Sequence, residues 1–73
     1  MKPRILIVDD EPVSVNYLQT LLHNFCPDIN VVGSAYSVSK GLIEIENKNP
    51  DLVFLDIELQ DGTGFDILQK SRY

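Results

Sequence analysis

Three aspartates occupy positions where oxygen chemistry is feasible. Asp9 and Asp10 close the apolar run Ile5-Leu6-Ile7-Val8, and Asp56 closes the run Leu52-Val53-Phe54-Leu55. A carboxylate can bind a hard cation through oxygen, or attack phosphorus to form an acyl phosphate. Acids gathered within a few ångströms repel one another, a cost that a cation or a reaction would offset. Mg²⁺ takes one or two carboxylates and keeps several waters. Asp10 and Asp56 could supply those two, with the Glu58 main-chain carbonyl as a third protein ligand. Asp9 would act through water or orient the ligand shell. Phosphoryl transfer asks little more of a protein than positioning and charge neutralisation.

Each acid also has a plainer reading. Glu11 precedes Pro12 at a helix start and complements the helix dipole. For Asp9 or Asp61 taken singly, capping of a turn or helix outweighs chemistry. Taken jointly, Asp9, Asp10 and Asp56 favour a site, because two acidic strand ends at this spacing are hard to produce by capping alone.

The elements that must position these acids alternate between strand and helix. Both apolar runs are short and rich in β-branched or aliphatic residues, as buried parallel strands are. Pro12 suits the first position of a helix, where its missing N–H costs nothing. Val15, Leu18, Leu21, Leu22 and Phe25 follow at spacings of three and four, which predicts a buried stripe, and Pro27 ends the helix. A second strand is expected over Asn30 to Ala35, interrupted by Gly33. Ser37 is a candidate N-cap for a second helix running to about Asn47, with Val38, Leu42 and Ile45 inward. Gly41 within it costs about 1 kcal/mol relative to Ala, which close packing on a sheet would explain. Asn49-Pro50-Asp51 leads into the third strand. After Asp56, residues 58–64 read as a loop turning at Asp61-Gly62, before a third helix that runs to Tyr73 with Phe65 and Leu68 inward. The expected architecture is α/β, three parallel strands in the order 2-1-3 with flanking helices. Sites in such sheets form beyond the carboxyl ends of the strands, so the acids should converge.

Composition narrows the function classes. The 73 residues carry a net charge of −5, which disfavours direct nucleic-acid binding and favours cations or basic surfaces. Cys26 is the only cysteine, so no intrachain disulfide forms and no cysteine-rich zinc site exists. Cys26 is expected to be a partly buried small side chain, and His23 a surface residue. No apolar stretch approaches the roughly 18–20 residues needed to span a bilayer. Lys2 and Arg4 lead directly into a strand, unlike a secretory leader. A cytoplasmic location is expected.

Two segments also carry a family resemblance. Ile5-Leu6-Ile7-Val8-Asp9-Asp10-Glu11-Pro12 resembles the opening of the receiver domain of two-component response regulators. Pro50-Asp51-Leu52-Val53-Phe54-Leu55-Asp56-Ile57, followed by Asp61-Gly62 and Gly64-Phe65, resembles the family's phosphoacceptor segment. The wording from Asp56 to Phe65 is most similar to the class with a C-terminal LytTR DNA-binding domain.

The resemblance implies a flavodoxin-like, CheY-like receiver. Asp56 would accept a phosphoryl group from a sensor histidine kinase, and Asp10 would bind Mg²⁺ directly. Asp9 would support the metal, and the Glu58 carbonyl would complete the protein ligands. It further implies that residues 1–73 are a partial receiver domain without a second domain. The fourth and fifth strands are missing, with the Thr or Ser and the Lys that follow them, as is the output domain. Switching is therefore not expected of this chain. Self-association through an open third-strand edge is expected instead.

Two other functions compete with this one. A haloacid-dehalogenase-type phosphohydrolase would need Asp-x-Asp, whereas Asp9 and Asp10 are adjacent. A receiver-like interaction domain would have the fold without phosphotransfer.

Overall fold

The computed structural model describes residues 2–70. Its elements in chain order are β1 (Arg4–Val8), α1 (Pro12–Phe25), β2 (Asn30–Ala35), α2 (Val38–Lys48), β3 (Leu52–Leu55), β4 (Glu58–Leu59), β5 (Gly62–Thr63) and α3 (Gly64–Lys70). β1, β2 and β3 form a parallel sheet in the order β2-β1-β3, as expected. β4 and β5 form a separate antiparallel hairpin. The expected run of the third helix as far as Tyr73 extends outside the described residues. No helix among those described is long and apolar enough to cross a membrane.

The central strand explains the unbroken apolar run at the start of the chain. Successive β1 side chains point to opposite faces. Ile5 and Ile7 enter a cluster with Val15 and Leu22 of α1, while Leu6 and Val8 enter a second with Val38, Ile45, Leu59 and Ile67. Helices cover both faces, so both sets of β1 side chains must be apolar.

α2 has the boundaries its punctuation suggests. The Ser37 hydroxyl accepts the Lys40 N–H at 3.2 Å. At the other end Asn49 takes a left-handed conformation (φ 49°) and donates its N–H to the Ile45 carbonyl at 2.9 Å. The cost of Gly41 within the helix has a packing explanation. A Cβ at that position would lie 3.0 Å from Ile67 Cδ1 and 3.2 Å from Val8 Cγ1.

Several expectations require correction. Gly33 does not interrupt β2. The strand continues to Ala35, and the register instead slips once, pairing Ile5 with Val31 and Leu6 with Gly33 so that Val32 bulges. Phe25 is 77% exposed rather than inward. Leu22 is the last α1 residue in the core cluster, and Phe25 lies one turn beyond it. Cys26, the next residue, is exposed as well. In α3 the inward residue is Ile67, only 1% exposed, whereas Phe65 (61%) and Leu68 (48%) face outward. Gly64 fixes that phase: it is buried against the main chain of Asp56, and Ile67 lies one turn on, along the same face.

Candidate functional site

The parallel register brings the acids together. Val8 is paired with Leu55, so the residues that follow them leave the sheet side by side. The Asp56 N–H donates to the Val8 carbonyl at 2.9 Å, and the Asp9 N–H donates to the Ala35 carbonyl at 3.0 Å. One carboxylate oxygen from each of Asp9, Asp10 and Asp56 lies within 4.8 Å of the others. All three residues are half-buried. Among the described residues no lysine or arginine forms an ion pair with them.

The Asp9 carboxylate has two relationships at once. Its Oδ1 accepts the Glu11 N–H at 3.0 Å, the local turn-capping role that was the plainer reading. The same side chain also belongs to the three-acid cluster. Asp10 and Asp56 accept no protein hydrogen bond among the described residues, so their lone pairs remain available. Glu58 opens β4 two residues beyond Asp56. Its side chain is exposed and outside the cluster, which leaves only its main chain as a candidate ligand.

The donor set suits a hard cation. In octahedral coordination at about 2.1 Å, ligand oxygens lie about 3.0 Å apart when adjacent and about 4.2 Å apart when opposite. Carboxylate oxygens that all lie within 4.8 Å of one another are close enough to share one such ion. Three half-buried carboxylates with no protein cation paired to them among the described residues also gain electrostatically from a divalent ion.

The segment after Asp56 is more ordered than the expected loop. Glu58 pairs with Thr63 and Leu59 with Gly62, so the chain turns at Gln60-Asp61 rather than at Asp61-Gly62. Gly62 is strand residue, not turn, with φ 157° and no room for a Cβ beside Asp66 Oδ2 and Val38 Cγ2. Thr63 and Asp66 cap α3 reciprocally: the Asp66 N–H donates to Thr63 Oγ1 at 3.3 Å, and the Thr63 N–H donates to Asp66 Oδ2 at 2.9 Å. This Thr-x-x-Asp spacing is a local signal that marks the start of α3. Gly64 donates its N–H to the Ile57 carbonyl at 2.8 Å. Its Cα lies so close to Asp56 that a Cβ would collide with the Asp56 carbonyl oxygen.

Asp61 reaches across to α2. Its Oδ1 accepts the Val38 N–H at 2.7 Å, and its Oδ2 accepts the Ser39 N–H and the Ser39 hydroxyl, each at 3.2 Å. The Val38 N–H holds the carboxyl below its ordinary value of 3.8. Local desolvation opposes that shift, and Ser39 reinforces it. Sequence reasoning assigns Asp61 a capping role but gives no hint of which helix, because the partners lie 22 and 23 residues away.

His23 and Cys26 stand apart from the acids. With Lys2, Gln19, Leu22 and Asn30 they line a cleft of about 440 Å³ at the other end of the strands.

Residues 5–72 match the response regulator receiver domain family. A sensory transduction protein LytT from Enterococcus faecalis (strain ATCC 700802 / V583) is 42% identical over 66 residues, covering 90% of this chain and 27% of that protein. The chain thus spans about a quarter of the length of the curated relatives it matches. The crystal structure of a LuxR-family two-component response regulator from Aurantimonas sp. SI85-9A1 matches with a TM-score of 0.90 at 25% identity, over 99% of this chain and 51% of that one. The CheX-CheY-BeF3-Mg+2 complex from Borrelia burgdorferi matches with a TM-score of 0.79 at 28% identity, over 89% of this chain and 48% of that one.

Proposed function

The chain belongs to the response regulator receiver family of two-component signalling, and from that premise we propose that Asp56 is its phosphoacceptor. The observation that carries this reading is the convergence of Asp9, Asp10 and Asp56 at the carboxyl ends of adjacent parallel strands. Of the three, Asp56 alone lies against Gly64 and leads directly into the hairpin.

In the reaction, an Asp56 carboxylate oxygen attacks the phosphorus of a phosphohistidine on a sensor kinase. A P–O bond forms as the P–N bond breaks, and the imidazole departs with that electron pair and is protonated. Asp10 and Asp56 would hold Mg²⁺ directly, with the Glu58 carbonyl, and Asp9 would act through water. The bound ion supplies charge neutralisation between the acids and the incoming phosphoryl oxygens. The Borrelia complex, which contains Mg²⁺ and the beryllofluoride group, supports this choice of cation.

In a protein of the relatives' length, the receiver would act in the cytoplasm and pass its state to a DNA-binding output domain. Residues 1–73 themselves would bind no nucleic acid. They also contain no counterpart of the Thr or Ser and the Lys that the family uses after its fourth and fifth strands, so the reading assigns them acceptance and cation binding, not switching. The outer edge of β3 pairs with no strand among the described residues, and the reading extends to pairing of that edge with a second copy.

Labelling by acetyl phosphate tests the proposal. Covalent phosphate should appear only with Mg²⁺, and Asp56→Asn should abolish it. Labelling that persists in Asp56→Asn would move the acceptor elsewhere. No labelling of any protein containing this domain would leave an interaction module.

A further inference from the structure

The hydrogen bonds between Asp61 and α2 go beyond what the helix needs in order to start. The first N–H groups of a helix lack partners within it. Ser37 supplies the usual local cap, accepting the Lys40 N–H. The two N–H groups it leaves, those of Val38 and Ser39, go to the two separate oxygens of Asp61. The Ser39 hydroxyl adds a third bond. The helix end therefore moors another part of the chain.

What it moors is the hairpin between the phosphoacceptor and α3. That hairpin has only two residue pairs, Glu58 with Thr63 and Leu59 with Gly62. Ladders this short are marginal by themselves. The two ends of the segment are fixed, by Asp56 on Val8 and by Gly64 on Ile57. Between them, Leu59 is buried against the α2 and α3 core, and Asp61 at the tip makes the only side-chain hydrogen bonds from the hairpin to α2 among the described residues. The candidate main-chain ligand, Glu58, lies in the first strand of this hairpin.

We infer that Asp61 is a positioning residue, which ties the β4–β5 hairpin to the N-terminus of α2 and thereby fixes the main chain at Glu58 for cation binding. This rests on the reading of the acid triad as an Mg²⁺ site. The chemistry requires both carboxylate oxygens. An amide places an acceptor oxygen at only one of the two carboxylate positions and a donor NH2 at the other, so Asn should preserve the tie only in part.

The test compares the chain with Asp61→Ala, Asp61→Asn and Ser39→Ala, with Asp10→Asn as a control. Mg²⁺ affinity is measured by calorimetry, and amide hydrogen exchange of the metal-free protein is followed residue by residue. Asp61→Ala should weaken Mg²⁺ binding about tenfold, as loss of a group supporting a metal ligand commonly does. It should speed exchange at Glu58 and Leu59 while β1 amides keep their protection. Asp61→Asn should fall between the two, and Ser39→Ala should have the smallest effect.

Asp10→Asn should abolish Mg²⁺ binding and leave exchange in the hairpin unchanged. If Asp61→Ala fails to fold, the comparison of Asp61→Asn with Ser39→Ala decides. Unchanged affinity in a folded Asp61 variant would overturn the inference while leaving the triad reading intact. If the unsubstituted chain binds no Mg²⁺, the triad reading fails, and so does the inferred purpose of the tie. Unchanged hairpin exchange would then remove the tie as well.

Discussion

At the scale of single residues, the aspartates differ by what surrounds them. Asp9 is shared between a turn and the acid cluster, Asp10 and Asp56 accept no side-chain hydrogen bond among the described residues, and both oxygens of Asp61 are engaged by α2. Asp61 gives a pH dependence whose sign is fixed. Its carboxyl titrates below the ordinary value of 3.8 because the charged form accepts the Val38 N–H and then those of Ser39. A depressed folded pKa contributes stability above the unfolded value that is lost as pH falls through the folded one. The tie should therefore be intact at neutral pH and fail only in acid below 3.8. Carboxyl ¹³C shifts across an acid titration should give Asp61 a midpoint below that value, with the Val38 amide shift moving in step. A midpoint at or above it would contradict the geometry.

At the scale of elements, Gly64 and Gly41 show how glycine sets packing distance. Gly64 lets the first turn of α3 rest on the main chain of Asp56, and a methyl there would meet both the Asp56 carbonyl and Leu55 Cγ. Gly64→Ala should cost about 1–3 kcal/mol in denaturant melts, the usual range for overpacking. It should also slow acetyl phosphate labelling of Asp56 in folded protein. Unimpaired stability would mean that the backbone yields there at little cost.

The same contact explains why the inward face of α3 was not legible. Phe65 and Leu68 are larger and more apolar as a pair than the alternatives, and hydropathy alone turns them inward. The helix phase is set instead by a glycine that must face Asp56, which places Ile67 in the core. Phe25 is exposed for another reason: helical periodicity continues past the last residue that packs in the core, here Leu22.

At the scale of the whole molecule, a central strand with apolar residues on both faces holds α1 on one side and α2 with α3 on the other. The outer edge of β3 is open among the described residues, and Leu52 on that strand is exposed. Unpaired strand edges of this kind recruit other strands. Sedimentation of residues 1–73 should show concentration-dependent association, weakened by a Val53→Pro substitution that removes one β3 donor. A monomer at every concentration tested would argue against pairing through this edge.

The strand and helix alternation, the 2-1-3 order, the capping of α2 by Ser37 and the grouping of Asp9, Asp10 and Asp56 are all legible in the order of residues along the chain. Those features follow from local periodicity, from caps that act within a turn, and from the rule that parallel strands end on one side of a sheet. The hairpin after Asp56, the phase of α3 and the bonding of Asp61 to α2 emerge only when the elements pack. Each depends on a contact between groups far apart in the chain, such as Asp61 with Val38, and no local pattern of residue types specifies where such groups will meet.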